Sequence, residues 1–315
     1  MSYSRDPTIP GLKHLPSIPY RENASRLQTL DLWLPDPQPT TTTGTWLIYI
    51  HGGAWRDPTQ DSLCVLPTLR SLFTQHTSLF SSAAIAGIAS LNYRLSPYPS
   101  HATQPSAPDD GDRNVRHPAH VSDVKDALEY VIETYAVERW VGVGHSCGAT
   151  LLGQVPLVSS TSTATEQIRK SLKALVLIAG IYDLPSFVSN HTPPTCSEEV
   201  AGIYRTIVEG AFGTDERVWQ EVSPARFSGE ALWAQDVVLG YSSEDALVEV
   251  DQREKMLQRY FREGWGPRTE DDPGHEAGTK KVDVKDLAMG HDEVWEDGTQ
   301  IAALIDEVVR RVGSG

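Results

Sequence analysis

Cysteine is scarce in this sequence. There are three in 315 residues (Cys64, Cys147 and Cys196), an odd number with no CxxC pair among them. That argues against a disulfide framework and a structural zinc site, and it suits a reducing compartment. Long apolar runs are also missing. The longest, Ala174 to Ile181, is far too short to span a bilayer, and the N-terminal MSYSRDPTIPGLKHLPSIPY has no apolar stretch to act as a signal peptide. The expected address is cytoplasmic. Positive charge is in deficit, with 27 Lys and Arg against 42 Asp and Glu, a formal net charge of −15. Such a balance repels phosphate backbones and anionic lipid surfaces, so neither nucleic acid nor a membrane is an expected partner. There is no internal repeat. No residue pattern encodes an oligomeric state; a homodimer is the one assembly entertained.

What is present is an ordinary globular composition, 39% apolar and 22% charged, in a chain long enough for one sizeable α/β domain. Residues 1–25 are Pro-rich and polar and are expected to form an arm over that domain. Strands are predicted at Gln28–Leu34, Thr45–Ile50, Ala83–Asn92, Trp140–Val143, Leu175–Ile178, Val237–Leu239 and Lys281–Leu287. A turn-rich stretch through the Thr40–Thr43 run separates the first two. Helical spacing over Pro118–Tyr135 puts Val121, Val124, Leu128, Val131 and Tyr135 on one side, and Cys147–Leu157 and Ile301–Val312 also read as helices. The segment 184–235 reads as a lid-like insertion with a helix near Glu198–Glu209, while Ser96–Arg116 and Gly264–Lys280 read as polar loops. Strands alternating with helices argue for a mostly parallel sheet covered on both faces.

The strongest chemical signal is Gly144-His145-Ser146-Cys147-Gly148, placed between a predicted strand and a predicted helix. In that context G-x-S-x-G is the nucleophile elbow of an α/β-hydrolase fold. The turn is so sharp that its flanks must be small, hence Gly144 and Gly148. It lifts the Ser146 hydroxyl above the sheet edge and aims the Cys147 N–H at a developing oxyanion. The blander alternative is a Gly-rich turn with an N-cap serine. The second signal, His51-Gly52-Gly53-Ala54-Trp55, directly follows the strand TWLIYI. Acyl transfer needs N–H donors fixed in advance, and paired glycines let the backbone approach a substrate closely. The N–H groups of Gly53, Ala54 and Cys147 are therefore the expected oxyanion hole, in the manner of an HGGG-type loop.

In this fold the acid follows a late strand and the base follows the last one. Asp245, after QDVVLG, is the chosen acid, with the adjacent Glu244 left open as a rival. His291, in Met289-Gly290-His291-Asp292, is the expected base, the one histidine after the last predicted strand. The resulting triad would be Ser146, Asp245 and His291. His117-Pro-Ala-His120 has HxxH spacing, yet no carboxylate completes a metal pattern, and it reads as a loop-to-helix junction. No metal or organic cofactor is expected.

The HGGAW loop, with Trp55 after the glycines and Arg56-Asp57-Pro58 beyond, resembles the HGGxW form of fungal kynurenine formamidases. So do Asn92-Tyr93-Arg94-Leu95-Ser96-Pro97, His117-Pro118 leading to Asp123, and Gly180-Ile181-Tyr182-Asp183; the likeness runs from about Leu30 to the chain end. The resemblance implies an arylformamidase, hydrolysing the linear amide of N-formyl-L-kynurenine to L-kynurenine and formate in tryptophan degradation. Trp55 and Tyr182 are then expected substrate-binding residues, Trp55 against the aromatic ring, with a core role for each as the alternative. Two other readings stay open: a carboxylesterase for small acyl or aryl esters, which would share the triad, and a non-catalytic hydrolase-fold binding protein.

Overall fold

The computed structural model describes residues 4–36, 44–82, 84–158, 162–228, 233–269 and 279–313. The Thr40–Thr43 run and most of Gly264–Lys280 lie outside the described residues. Among the described residues nine strands form one sheet: β1 (Leu12–Pro19), β2 (Thr29–Pro35), β3 (Thr45–Ile50), β4 (Ile85–Leu91), β5 (Trp140–His145), β6 (Leu172–Ile178), β7 (Asp236–Ser242), β8 (Gly266–Pro267) and β9 (Lys281–Leu287). Their order is β1-β2-β4-β3-β5-β6-β7-β9-β8. The β1/β2 and β2/β4 pairs are antiparallel, and the remaining ladders are parallel. The mostly parallel sheet expected from the alternation of strands and helices is what forms.

The central strands are apolar on both faces because both faces are covered. In β3, Leu47 and Tyr49 belong to one core and Ile48 and Ile50 to the other. The helices Leu66–Gln75 and Thr299–Gly313 supply Leu69, Leu72, Ile301, Ile305 and Val308 to the first. The helices Ala119–Thr134, Cys147–Gln154 and Val250–Arg262 supply Val124, Leu128, Leu151 and Met256 to the second. Burying a Leu or Ile side chain contributes about 1.5–3 kcal/mol, so these two layers hold the parallel strands in register.

Residues 1–25 are more than an arm, because eight of them form edge strand β1. Its Pro16 and the positive φ of Ser17 (52°) fall where the register shifts between Leu15 and Ile18, a bulge that an edge strand tolerates. The segment 184–235 is helical through much of its length, with helices Leu184–Ser189, Glu198–Phe212 and Glu216–Val222. Among the described residues no helix is long and apolar enough to cross a membrane.

The parallel ladders bring four chain segments to one edge of the sheet. Ile50 of β3 pairs with Gly144 of β5, so the turns that follow these strands are neighbours. Strands β7 and β9 are also adjacent, which places residues 243–250 beside residues 288–292. This is the carboxyl edge, where open α/β sheets bind ligands.

Candidate active site

Strand β5 delivers the chain into Ser146, whose φ of 52° and ψ of −126° are unusual for an L-residue. Holding a non-glycine residue there costs on the order of 1–3 kcal/mol, offset by the surrounding packing. The helix Cys147–Gln154 begins at the next residue. A Cβ on Gly144 would stand 2.6 Å from the Ala149 nitrogen, and one on Gly148 would stand 2.2 Å from the Ile50 carbonyl oxygen. Glycine at both positions is a packing requirement.

After β3 the backbone makes three left-handed steps in succession, with φ of 94°, 50° and 59° at Gly53, Ala54 and Trp55. The N–H groups of Arg56 and Asp57 close the turn on the Gly53 carbonyl at 2.9 and 2.8 Å. The loop is tied down from below. The Trp55 N–H donates to Cys147 Sγ at 3.2 Å, and the Tyr93 hydroxyl lies 3.2 and 3.0 Å from the carbonyl oxygens of His51 and Gly52, which accept from it. The His51 ring stacks on Tyr93 with centroids 4.5 Å apart. Burial pushes the Cys147 thiol up to about 11, so its sulfur stays neutral near pH 7 and acts as a packing and hydrogen-bonding group. The Gly53 N–H makes no hydrogen bond to another described residue. The Cys147 N–H belongs to the first turn of its helix, where no intrahelical acceptor exists. Gly52 is pressed against the serine: a Cβ there would lie 3.1 Å from Ser146 Cβ.

Asp245 follows β7 and His291 follows β9. His291 Nδ1 lies 2.7 Å from Asp245 Oδ2, with the two side chains 8% and 1% exposed. The carboxylate accepts, so Nδ1 carries the proton and Nε2 is the acceptor nitrogen. The other Asp245 oxygen accepts from the N–H groups of Leu247 and Val248, each at 2.9 Å, so this turn is built around the carboxylate. Glu244 is exposed. Of the two carboxylates left open by the sequence, Asp245 is the one that meets the imidazole. His145 holds the backbone of the same loop, its Nε2 donating to the His291 carbonyl at 3.0 Å. Burial, and then the neighbouring His291, keep His145 well below the usual histidine range, so it stays neutral.

Ser146, His291, Gly53 and Ala54 line one cavity of about 260 Å³. The segment 184–235 contributes Phe187, Ile203, Tyr204 and Ile207 to its walls, and Arg56, Asp57, Gln60, Tyr98 and Asp292 supply polar groups. None of these polar residues was assigned a role from the sequence. A partial signal was available, because Arg56 and Asp57 stand in the Arg-Asp-Pro run noted for its resemblance.

The two expected substrate-binding residues are not part of this cavity. Trp55 is fully buried, with its indole edge-on against Phe212 at 5.0 Å between centroids. Tyr182 is 2% exposed and lies over Gly180, where a Cβ would meet its hydroxyl at 2.4 Å. Both are core residues. Asp183 is structural too, accepting from the Ser186 N–H at 2.9 Å and pairing with Arg226 at 2.7 Å. Arg94 and Asp123 form a two-pronged pair, both hydrogen bonds 2.8 Å, that ties the exit of β4 to the helix Ala119–Thr134.

The HxxH pair lies at the start of that helix. His120 Nε2 is 2.9 Å from Ser96 Oγ, and burial lowers His120 to about 3 and His117 to about 4. Among the described residues no cluster of His, Cys, Asp and Glu could hold a metal ion.

Comparison with known proteins places this geometry in context. The family model described as BD-FAE matches residues 30–260. The chain is 36% identical over 312 residues to the Kynurenine formamidase-like hydrolase fscH of Fusarium equiseti, covering 94% of this chain and 95% of that protein. It is 33% identical over 269 residues to the Kynurenine formamidase avaC of Aspergillus versicolor, covering 79% and 83%. Among solved structures, Esterase B from Lactobacillus Rhamnosis superposes with a TM-score of 0.66 at 13% identity, covering 97% of this chain and 87% of that one. That similarity concerns the fold.

Proposed function

The chain belongs to the BD-FAE family and to the kynurenine formamidase family of α/β-hydrolases, and from that premise we propose that it hydrolyses N-formyl-L-kynurenine to L-kynurenine and formate. Ser146 attacks the formyl carbon while His291 Nε2 takes the hydroxyl proton. Asp245 holds the imidazole in the tautomer that can accept it and stabilises the imidazolium that forms. The N–H groups of Gly53, Ala54 and Cys147 receive the oxyanion, in positions fixed before reaction by Tyr93 and by the Trp55–Cys147 bond. His291 then protonates the aryl amine as the C–N bond breaks. Water, activated by the same histidine, releases formate from the formyl-enzyme.

The observation that carries this reading is the 2.7 Å His291–Asp245 contact at the wall of the cavity that Ser146, Gly53 and Ala54 also line. A carboxylesterase is the second reading, favoured by the esterase among the structural neighbours and by a triad that ester cleavage would share. Purified protein given N-formyl-L-kynurenine and short p-nitrophenyl esters separates the two. The formamide should have the higher kcat/KM. Efficient ester cleavage with the formamide untouched would overturn the proposal.

A further inference from the structure

Three charged residues that line the cavity, Arg56, Asp57 and Asp292, are left unused by the reaction, and one of them is a cation. Arg56, directly after the oxyanion loop, is 7% exposed and lines the same cavity as Ser146 and His291. A guanidinium so far from bulk water is ordinarily met by a carboxylate. Among the described residues no carboxylate is hydrogen-bonded to Arg56, and the charge of Asp57 acts on it only from a distance. Its ordering contact is with Tyr98, whose ring centroid lies 4.2 Å from Arg56 Cζ. Stacking of this kind holds the guanidinium by its face and leaves the edge, with its N–H donors, uncommitted. The adjacent Asp57 is turned to other work, its Oδ1 accepting from the Thr59 N–H and hydroxyl at 2.8 and 2.7 Å. Burial disfavours the charged form of Arg56, yet arginine is not deprotonated in proteins. A planar cation with unfilled donors therefore borders the reacting groups.

We propose that Arg56 is the specificity-determining residue that binds a carboxylate on the leaving-group side of the substrate, with Tyr98 fixing the plane of the guanidinium. The inference rests on the acyl-transfer reading of Ser146 and narrows its substrate class to aryl acyl compounds whose leaving group carries a carboxylate. The carboxylate belongs on the leaving-group side because the formyl group proposed for the acyl side has none.

The test compares wild type, Arg56→Met and Arg56→Lys on two substrate pairs. The first pair is N-formyl-L-kynurenine and its carboxamide, and the second is O-acetyl-L-tyrosine and O-acetyl-L-tyrosinamide. A charge-assisted pair of this type predicts that the acid-to-amide ratio of kcat/KM falls about 10- to 100-fold in Arg56→Met, with Arg56→Lys between. If wild type cleaves no formamide but the ester pair shows that change, the formamidase reading fails and the Arg56 assignment stands. If both members of each pair slow equally, Arg56 is only structural and the proposal is overturned. Should Arg56→Met fail to fold, calorimetric binding of L-kynurenine and its carboxamide to wild type decides the matter. Tighter binding of the acid upholds the proposal, and equal or weaker binding overturns it.

Discussion

Replacing Gly148 by alanine probes the close approach on which the site is built. The added Cβ would stand 2.2 Å from the Ile50 carbonyl oxygen and 2.6 Å from that of His51, whereas real Cβ contacts essentially never fall under 3.0 Å. The helix Cys147–Gln154 must therefore retreat from the end of β3 by roughly 0.8–1 Å, because the interior has no slack to absorb the atom. Both partners are backbone, so no side-chain rotation relieves the clash. Overpacking of this kind costs about 1–3 kcal/mol, and each kcal/mol lowers the melting temperature by about 2–4 °C in larger single domains. The catalytic effect is separate. Ser146 leads into the retreating helix, while Gly53 and Ala54 follow the strand that stays. Nucleophile and oxyanion donors move apart by about the same distance, and a misplacement near 1 Å lowers turnover on the order of 10²-fold. The assay is steady-state hydrolysis of the formamide beside thermal unfolding followed by circular dichroism. The expected result is a kcat reduced about 10²-fold in a protein that still folds, with a much smaller change in KM. Wild-type turnover and an unchanged midpoint would refute the reasoning.

Two further outcomes follow from the same geometry. Asp245→Asn should lower kcat by about 10³- to 10⁴-fold through loss of the His291 tautomer, while Glu244→Gln, exposed and away from the imidazole, should stay within about twofold; equal losses in steady-state kinetics would contradict the assignment. Acid stability depends on the buried histidines, with His120 lowered to about 3 and His117 to about 4 by burial, and His145 lowered by burial and by His291. The unfolded chain binds those protons near pH 6.5 and the folded chain does not until far lower, so stability is intact above about pH 6.5 and is lost as pH falls towards about 4. A fully buried histidine contributes up to about 1.4 kcal/mol per pH unit in that window, His117 less because it is partly exposed. Urea midpoints measured from neutral pH downwards should fall, and His120→Gln should flatten the fall; a variant as acid-sensitive as wild type would refute that share.

Much of the fold was legible because the buried parallel strands leave continuous apolar runs. TWLIYI and WVGV are each short, β-branched and bounded, and they became β3 and the body of β5. The edge was not legible. Leu12–Pro19 carries two prolines and alternates poorly, and it pairs only because an edge strand can absorb a bulge at Ser17. The site shows the same division. Ser146 and His291 were readable because their motifs follow strands that pattern reveals. Asp245 and Glu244 are neighbours, and what separates them is a turn closed on the Asp245 carboxylate by Leu247 and Val248. Trp55 stood open between a binding and a core role, and only its packing against Phe212 in the core decides between them. The stacking of Arg56 on Tyr98 was not legible, because no local pattern links residues so far apart in the chain.

The central claim is that Ser146 attacks the formyl carbon, and its most direct test is turnover of N-formyl-L-kynurenine by wild type and Ser146→Ala, followed by the absorbance of the kynurenine released. Wild type should form product and react covalently with a fluorophosphonate. Ser146→Ala should take up no label and lose at least about 10⁴-fold in kcat with its circular dichroism unchanged. Sustained turnover by Ser146→Ala, or the absence of label at Ser146 in active wild type, would contradict the account.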